Sequence, residues 1–470
     1  MMAMNTTSIN NSVQGVQSLL DALLSGERFW PTEPQSMEEI GLSEPFLESL
    51  TCKLLLVNGT TTGRTAATSL CLPFTLAEHI LDRLRSQHLI SHRGSGPLND
   101  YICELTKDGR DRALAYQQEC AYVGPAPVPL ADYVISVEAQ AISDEPIRRD
   151  ELLDAFHDVS LEPGLLNLLG PALNSASGLF LYGAPGNGKS TLAQRITGCF
   201  GQEIWLPHAF IQGREIVKVY DPAYHREAGA AGSGERNENA GVYDRRWLRV
   251  KRPTVVGGEL TMDSLEIRHD PVTNISEAPL QVKSNCGCLL IDDFGRQRIS
   301  PEELLNHWIV PLENRHDFLK LSSGQKIQVP FEQLIIFSTN LDPADLIDEA
   351  FLRRIPYRIE VTDPSDDEFH SLFQLVADRF GCEYDPDAVE YLLETYYRPQ
   401  NRPRRRCHAR DLLQQVRNYC TYNEVAFEMR PEYFDKVAHS FFTIVRIKDQ
   451  RRHQPPTEPS SAAAAERDTE

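Results

Sequence analysis

The sequence predicts an α/β protein: a parallel sheet with helices on both faces, preceded by a small helical module with a two-stranded hairpin and followed by an all-helical segment. Three observations predict this. The segment Gly183-Ala184-Pro185-Gly186-Asn187-Gly188-Lys189-Ser190 lies directly between a short apolar run, Gly178–Tyr182, and a helix-forming run, Thr191–Cys199. From Val134 to about Thr362 strand-like and helix-like runs alternate, the pattern of a parallel sheet. From Pro364 to Val445 the apolar spacing is helical throughout.

The chain has 470 residues, enough for two or three domains. Its net charge of −20 disfavours general attraction to nucleic acid, so any such binding needs a local basic patch. The ten cysteines are scattered and form no C-x-x-C pair, which argues for reduced thiols rather than a disulfide framework or zinc ribbon. The polar N-terminus lacks the basic flank and apolar stretch of a secretory signal. No run approaches the roughly 18 apolar residues of a membrane helix. A soluble, cytoplasmic protein without membrane contact is expected.

Residues 1–43, rich in Ser, Asn, Thr and Pro, are expected as a flexible lead with one amphipathic piece near Val13–Leu24. Residues 44–122 change pattern. Helical spacing covers Pro45–Val57, a Thr-rich turn follows Gly59, and a short helix is expected at Arg64–Leu70. A clear helix at Thr75–Ser86 puts Leu76, Ile80, Leu81 and Leu84 on one face. Strand-like runs Leu89–His92 and Tyr101–Leu105 flank a turn rich in breakers. A last helix runs from Asp108 to about Cys120. This order resembles a winged-helix domain. Residues 123–149 begin with three prolines and read as a stiff linker. The α/β core is placed at 150–362, an all-helical segment at 363–446 and a charged, Pro- and Ala-rich disordered tail at 447–470.

The motif at Gly183–Ser190 matches the phosphate loop (Walker A) G-x-x-x-x-G-K-[ST] in the strand–loop–helix context that the motif requires. Gly183, Gly186 and Gly188 let backbone N–H groups, with those of Pro185's neighbours and Asn187, curl around phosphate oxygens at a helix N-terminus that begins near Thr191. Lys189 is the phosphate-binding cation and the Ser190 hydroxyl a Mg²⁺ ligand. The run Cys288-Leu-Leu-Ile-Asp292-Asp293 delivers two carboxylates at the end of an apolar strand (Walker B). Asp292 is expected to hold Mg²⁺ and Asp293 to activate the attacking water.

These motifs, together with the segments C-terminal to them, resemble the AAA+ superfamily of ATPases over roughly residues 150–445. The resemblance implies ATP and Mg²⁺ as cofactors. Leu334–Asn340 resembles sensor 1, which gives Asn340 contact with the γ-phosphate or the water. Ala350-Phe-Leu-Arg353-Arg354-Ile resembles the box that supplies arginine fingers, so Arg353 or Arg354 would reach a neighbouring subunit's ATP. Arg404–Leu413 resembles sensor 2, which gives Arg410 a phosphate contact. A finger acting in trans implies a homo-oligomeric ring, a hexamer being usual. Most relatives carry Asp-Glu where this chain has Asp292-Asp293; initiators and helicase loaders of the superfamily also carry Asp-Asp. Slow turnover is expected.

Between the two motifs the chain is longer than a minimal core needs. A β-rich insertion is expected at about 212–285, with a flexible stretch at Glu227–Gly241 and strands at Trp247–Val256 and Glu259–Arg268. A hairpin is expected around Gly324. The solvent side of the Thr75–Ser86 helix offers Glu78, His79, Asp82, Arg83 and Arg85, a mixed surface that suits protein docking better than DNA. The expected function is therefore an ATP-hydrolysing, ring-forming remodeller of a macromolecular client, protein being favoured. The alternatives are a DNA-associated ATPase of initiator or helicase-loader type, and a nucleotide-controlled docking switch with little hydrolysis.

Overall fold

A computed structural model describes residues 28–95, 100–142, 146–157, 163–200, 203–228, 243–346 and 352–452. The expected amphipathic piece at Val13–Leu24, the stretch at 229–242 and the end of the tail lie outside them. The chain forms two compact units: residues up to Gly183 with Lys189–Glu360, and Ala184–Gly188 with Val361 onward.

The first unit opens with α1 (Glu44–Asn58), β1 (Thr60–Thr62), α2 (Gly63–Leu70), α3 (Phe74–Ser86), β2 (Ile90–Ser95), β3 (Tyr101–Leu105) and α4 (Lys107–Glu119). Pro45 suits the first turn of α1, and Gly59, with φ 76°, ends it. The Thr-rich segment is a strand rather than a turn: Thr60–Thr62 pairs antiparallel with Glu104–Ile102, giving a sheet of order β1-β3-β2. Three successive β-branched residues favour that pairing. The buried Asp100 carboxylate fastens this sheet to α2, accepting from the N–H groups of Gly63 (3.0 Å), Arg64 (2.9 Å) and Tyr101 (2.8 Å). Burial alone would raise its pKa, but these donors prevail and hold it below the usual carboxylate value. Thr106 caps α4 through the Gly109 N–H, and a Cβ on Gly109 would stand 1.9 Å from the Leu89 carbonyl oxygen.

Two expectations on either side of this module are corrected. Residues 28–43 are packed rather than loose: Trp30 and Ile40 are buried, and Thr32 bridges Tyr243. The expected linker at 123–149 contributes to the core. It forms β4 (Val128–Pro129), α5 (Leu130–Ala139) and the start of α6 (Arg149–Ala155), and Val128, Tyr133 and Val137 are buried. Pro129 is tolerated in β4 because β4 is the edge of its sheet, where a missing N–H costs little.

After α6 come α7 (Pro163–Asn174), β5 (Leu179–Tyr182), α8 (Lys189–Ile196), β6 (Glu203–Pro207), β7 (Ala209–Gln212) and β8 (Glu215–Lys218). Next are β9 (Trp247–Lys251), β10 (Thr254–Gly257), β11 (Arg268–Asp270), β12 (Ile275–Glu277) and β13 (Cys288–Ile291). The unit closes with α9 (Pro301–His307), α10 (Ile309–Asn314), β14 (His316–Lys320), β15 (Lys326–Pro330), β16 (Leu334–Thr339) and β17 (Tyr357–Glu360). The central sheet is parallel, in the order β10-β13-β16-β5-β17. Its inner strands CLLI, LIIFST and LFLY are almost continuously apolar, as strands covered on both faces must be.

The insertion differs from its expected bounds. Pro253 splits the run Trp247–Val256: β9 pairs antiparallel with β6, whereas β10 is an edge of the central sheet. Glu259–Arg268 is not a strand; it holds a short 3-10 turn, Met262–Leu265. A second sheet, β11-β12-β8-β7-β4, supplies the remaining β structure. Its Ala209 and Ile216 are buried in the same apolar cluster as Ile40, Leu70, Tyr122 and Ala126 of the N-terminal module. The Ala121 N–H donates to the Thr273 carbonyl at 2.8 Å, and buried Arg246, paired with Asp244, donates to the Ile40 carbonyl at 2.8 Å. The N-terminal module and the insertion thus share one core. The hairpin expected around Gly324 is β14–β15, with Gly324 at φ 83°.

The second unit contains α11 (Asp366–Phe380), α12 (Pro386–Leu392), α13 (Arg406–Tyr422) and α14 (Pro431–Arg452). Ser365 and Glu368 form a capping box before α11, and Gly381 at φ 69° ends it. Phe369, Phe373, Leu392, Tyr397, Leu412, Val416 and Phe434 fill its core. The last helix continues to Arg452, past the expected start of the tail at 447. Among the described residues no helix is long and apolar enough to cross a membrane.

Candidate functional site

The C-terminal ends of β5, β16 and β13, adjacent in the central sheet, bring together the principal residues singled out in the sequence. The chain leaves β5 through Gly183, at φ 131°, and re-enters the first unit at Lys189, the first residue of α8. The Lys189 ammonium is buried and donates to the Gly183 carbonyl at 2.9 Å and to Asn340 Oδ1 at 2.6 Å. Asn340, just beyond β16, turns its other amide atom to Asp293: Nδ2 donates to Oδ1 at 3.3 Å. The Ser190 hydroxyl donates to Asp292 Oδ2 at 2.7 Å. Thr191 lies exposed in the first turn of α8.

Backbone geometry aims the two carboxylates apart. Asp293 sits in the left-handed region at φ 50°, which turns its side chain toward Asn340 while Asp292 faces Ser190. Three contacts that the sequence reading missed brace this corner. Gln297 donates to the Asp292 carbonyl. Phe294 N–H donates to the Ser338 carbonyl and the Thr339 hydroxyl donates to the Phe294 carbonyl, each at 2.8 Å. They lock the segment after β13 to the end of β16. No local sequence signal marks such cross-strand braces.

The remaining loop residues, Ala184–Gly188, belong with the helical unit. Asn187 is buried; its Nδ2 donates to Asp363 Oδ1 at 2.7 Å and to the Val361 carbonyl at 3.2 Å, and its Oδ1 accepts from the Arg406 N–H at 3.4 Å. The Cys407 N–H donates to the Gly186 carbonyl at 2.9 Å, and a Cβ on Gly186 would meet Cys407 Sγ at 2.7 Å. Gly186 and Gly188 have φ 88° and 82°, conformations that glycine adopts without strain. Pro185 is exposed. Arg405 pairs with Asp363, and Arg406 with Glu368 at 3.0 Å.

Arg410 stands apart from these contacts: it is exposed and pairs with Asp411 at 2.8 Å. It lies on α13, whose first residues Arg406 and Cys407, with Arg405 just before them, are the ones that meet the loop. Arg353 is exposed, and Arg354 pairs with Glu313 at 2.7 Å.

Chemically, the first-unit cluster offers a buried cation, an amide and a hydroxyl–carboxylate pair at the strand ends. Ser190 and Asp292 are hard oxygen donors of the kind Mg²⁺ takes through one or two protein ligands. In the loop, open space where a Cβ on Gly188 would stand leaves the backbone free to approach an anion.

A family model described as a domain of unknown function, DUF8689, matches residues 365–440, which span α11 to the first half of α14. No curated protein matches the chain. Among solved structures, it is similar to a point mutant of RuvB from Thermotoga maritima, with 14% identity and a TM-score of 0.35 over 60% of this chain and 70% of that one. NtrX from Brucella abortus is similar at 15% identity and a TM-score of 0.35, over 66% of this chain and 62% of that one. The RuvB Holliday junction branch migration motor of Thermotoga maritima gives 15% identity and a TM-score of 0.34, over 60% and 69%. Likenesses this weak leave the functional reading to the residues themselves.

Proposed function

We propose that this chain is an ATPase of the AAA+ type, which binds ATP with Mg²⁺ at Gly183–Ser190 and couples hydrolysis to work on a macromolecular client. The observation that carries the reading is the chain of contacts Lys189–Asn340–Asp293 beside the Ser190–Asp292 pair. A buried ammonium that donates to the neutral oxygens of Gly183 and Asn340 can exchange them for phosphate oxygens. Ser190 and Asp292 would hold Mg²⁺, which when bound supplies charge that neutralises the phosphate oxygens. Asp293 accepts the proton of the attacking water as that water's oxygen bonds to the γ-phosphorus and the β–γ bridging bond breaks. Asn340, bonded to Asp293, orients the same water. Arg353 or Arg354 supplies charge to a neighbouring copy's ATP in a ring, a hexamer being the usual size.

The client is read as protein, engaged through a winged-helix-like module at residues 44–122. What favours this over DNA is Arg83, expected on the solvent side of α3: it is half-buried and pairs with both Glu44 and Glu48 of α1. A cation so engaged has less charge to offer a phosphate backbone. ATP-dependent, salt-sensitive DNA binding would replace the protein reading with an initiator- or loader-like one. ATP binding with no turnover would replace it with a docking switch. The direct test of the nucleotide site is Lys189→Ala. Equilibrium binding of a fluorescent ATP analogue should weaken by at least a hundredfold; retained affinity would remove the assignment of the loop.

A further inference from the structure

A cavity of about 720 Å³ lies at the free edge of the central sheet, where nothing in the nucleotide reading uses it. Its floor is one face of the β10 strand with the nearby Arg252, together with Thr254 and Val256, and one wall is the end of α8 with the turn after it. The register places it well away from the strand-end cluster. Thr254 pairs with Cys288, four residues before Asp292, which is about 13 Å along the strand. On the sheet, β13 and β16 lie between β10 and β5, at about 4.8 Å per strand.

The charge of the lining is one-sided. Arg226, Lys251 and Arg252 contribute three cations. The one acid among these lining residues, Glu203, pairs with Arg249 at 2.7 Å. Arg226 and Lys251 are exposed at the cavity, and the Lys251 N–H donates to the Arg226 carbonyl at 2.9 Å, so the backbone holds the two residues side by side. Arg252 is buried; its Nη1 donates to the carbonyls of Gln140 (3.0 Å) and Cys286 (2.7 Å), which fix the guanidinium in place. An anion seated at Arg226 and Lys251, with the charge of Arg252 behind them, gains charge-assisted hydrogen bonds, the stronger kind. Buried Phe200 and half-buried Tyr224 supply an aromatic wall.

We propose that this cavity is a second binding site, separate from the phosphate loop, for a small polyanion with a planar apolar part, such as a phosphorylated small molecule. Its volume is that of a small-molecule site, with a few polar groups on a partly aromatic lining. A polymer backbone would instead need a groove that continues past it. The helix α8 carries Lys189 and Ser190 at one end and the cavity wall at the other, so one rigid element touches both sites.

The test uses the full chain carrying Lys189→Ala, without nucleotide or Mg²⁺, so that the phosphate loop does not compete. The probe is pyranine, a trisulfonated pyrene, followed by fluorescence anisotropy, with inorganic tripolyphosphate as competitor. Saturable binding displaced by tripolyphosphate is expected, and adding Arg226→Glu with Lys251→Glu should weaken it at least tenfold. Both substituted residues are exposed, and a circular dichroism melt matching that of the parent certifies the fold. Unchanged affinity in the charge-reversed variant, or no saturable binding in the parent, would overturn the proposal. So would displacement by a single-stranded oligonucleotide but not by tripolyphosphate.

Discussion

At the scale of single residues, the candidate site divides labour between two neighbouring carboxylates by backbone conformation. Asp293 occupies the left-handed region and meets Asn340, whereas Asp292 faces the Ser190 hydroxyl. The division predicts a defect in turnover rather than in binding when Asp293 is changed. Asp293→Asn keeps the size and the Asn340 contact but cannot accept a proton. ATP turnover should fall by about two to four orders of magnitude, the contribution of a positioned base, while ATP affinity changes less than about threefold. A phosphate-release assay beside equilibrium binding checks both arms; equal losses in the two would mean that Asp293 holds nucleotide rather than activating water. The motif residues of this site are legible in the sequence because a phosphate loop and an acid-tipped strand are local patterns. The braces from Gln297 and Thr339, and the placement of Arg405–Cys407 beside Gly186, depend on which strand ends adjoin and which helical turn faces the loop. No short window of sequence encodes either.

At the scale of elements, two places in the fold expose single-residue requirements. Gly109 lies where α4 crosses the Leu89 carbonyl, so Gly109→Ala forces a methyl against backbone that cannot yield. A loss of about 1–3 kcal/mol is expected, read as a lower melting temperature of the full chain. In the helical unit, His408 is buried against Tyr397, whose hydroxyl lies 2.9 Å from Nδ1. Burial and the neighbouring Arg405 guanidinium push its pKa down from 6.5 to about 4. The folded state therefore binds fewer protons than the unfolded one between these values, and stability falls as pH drops from 6.5 toward 4. The full effect is on the order of 3 kcal/mol. His408→Gln should flatten that part of the stability–pH curve; a curve as steep as the parent's would show that other groups cause it. The helices and the hairpin around Gly324 are legible from periodicity and turn residues. The misread segments are those whose partners are remote. Three prolines suggest a linker at 123–149, yet an edge strand accepts proline, and the Trp247–Val256 run gives no hint that its halves join different sheets.

At the scale of the whole molecule, the proposed ring makes a prediction that one chain alone cannot satisfy. Arg353→Ala with Arg354→Ala should lower ATP turnover at least about tenfold and leave ATP affinity nearly unchanged, because the lost charge acts on a neighbour's nucleotide. Since Arg354 also pairs with Glu313, its loss is expected to cost little stability at a partly exposed pair. Turnover at the parent rate would remove the finger assignment. The shared core of the N-terminal module has a further bearing, on how the protein is made. Ile40, Leu70 and Tyr122 complete their burial against Ala209, Ile216 and Ile275, and Ala121 bonds to Thr273. On the ribosome, the module emerges with this flank bare and waits for about 150 more residues, roughly 8–30 s at ordinary elongation rates. During that interval its apolar side is open to chaperones and to other nascent chains, so slower translation across residues 123–278 is expected to lower the soluble yield.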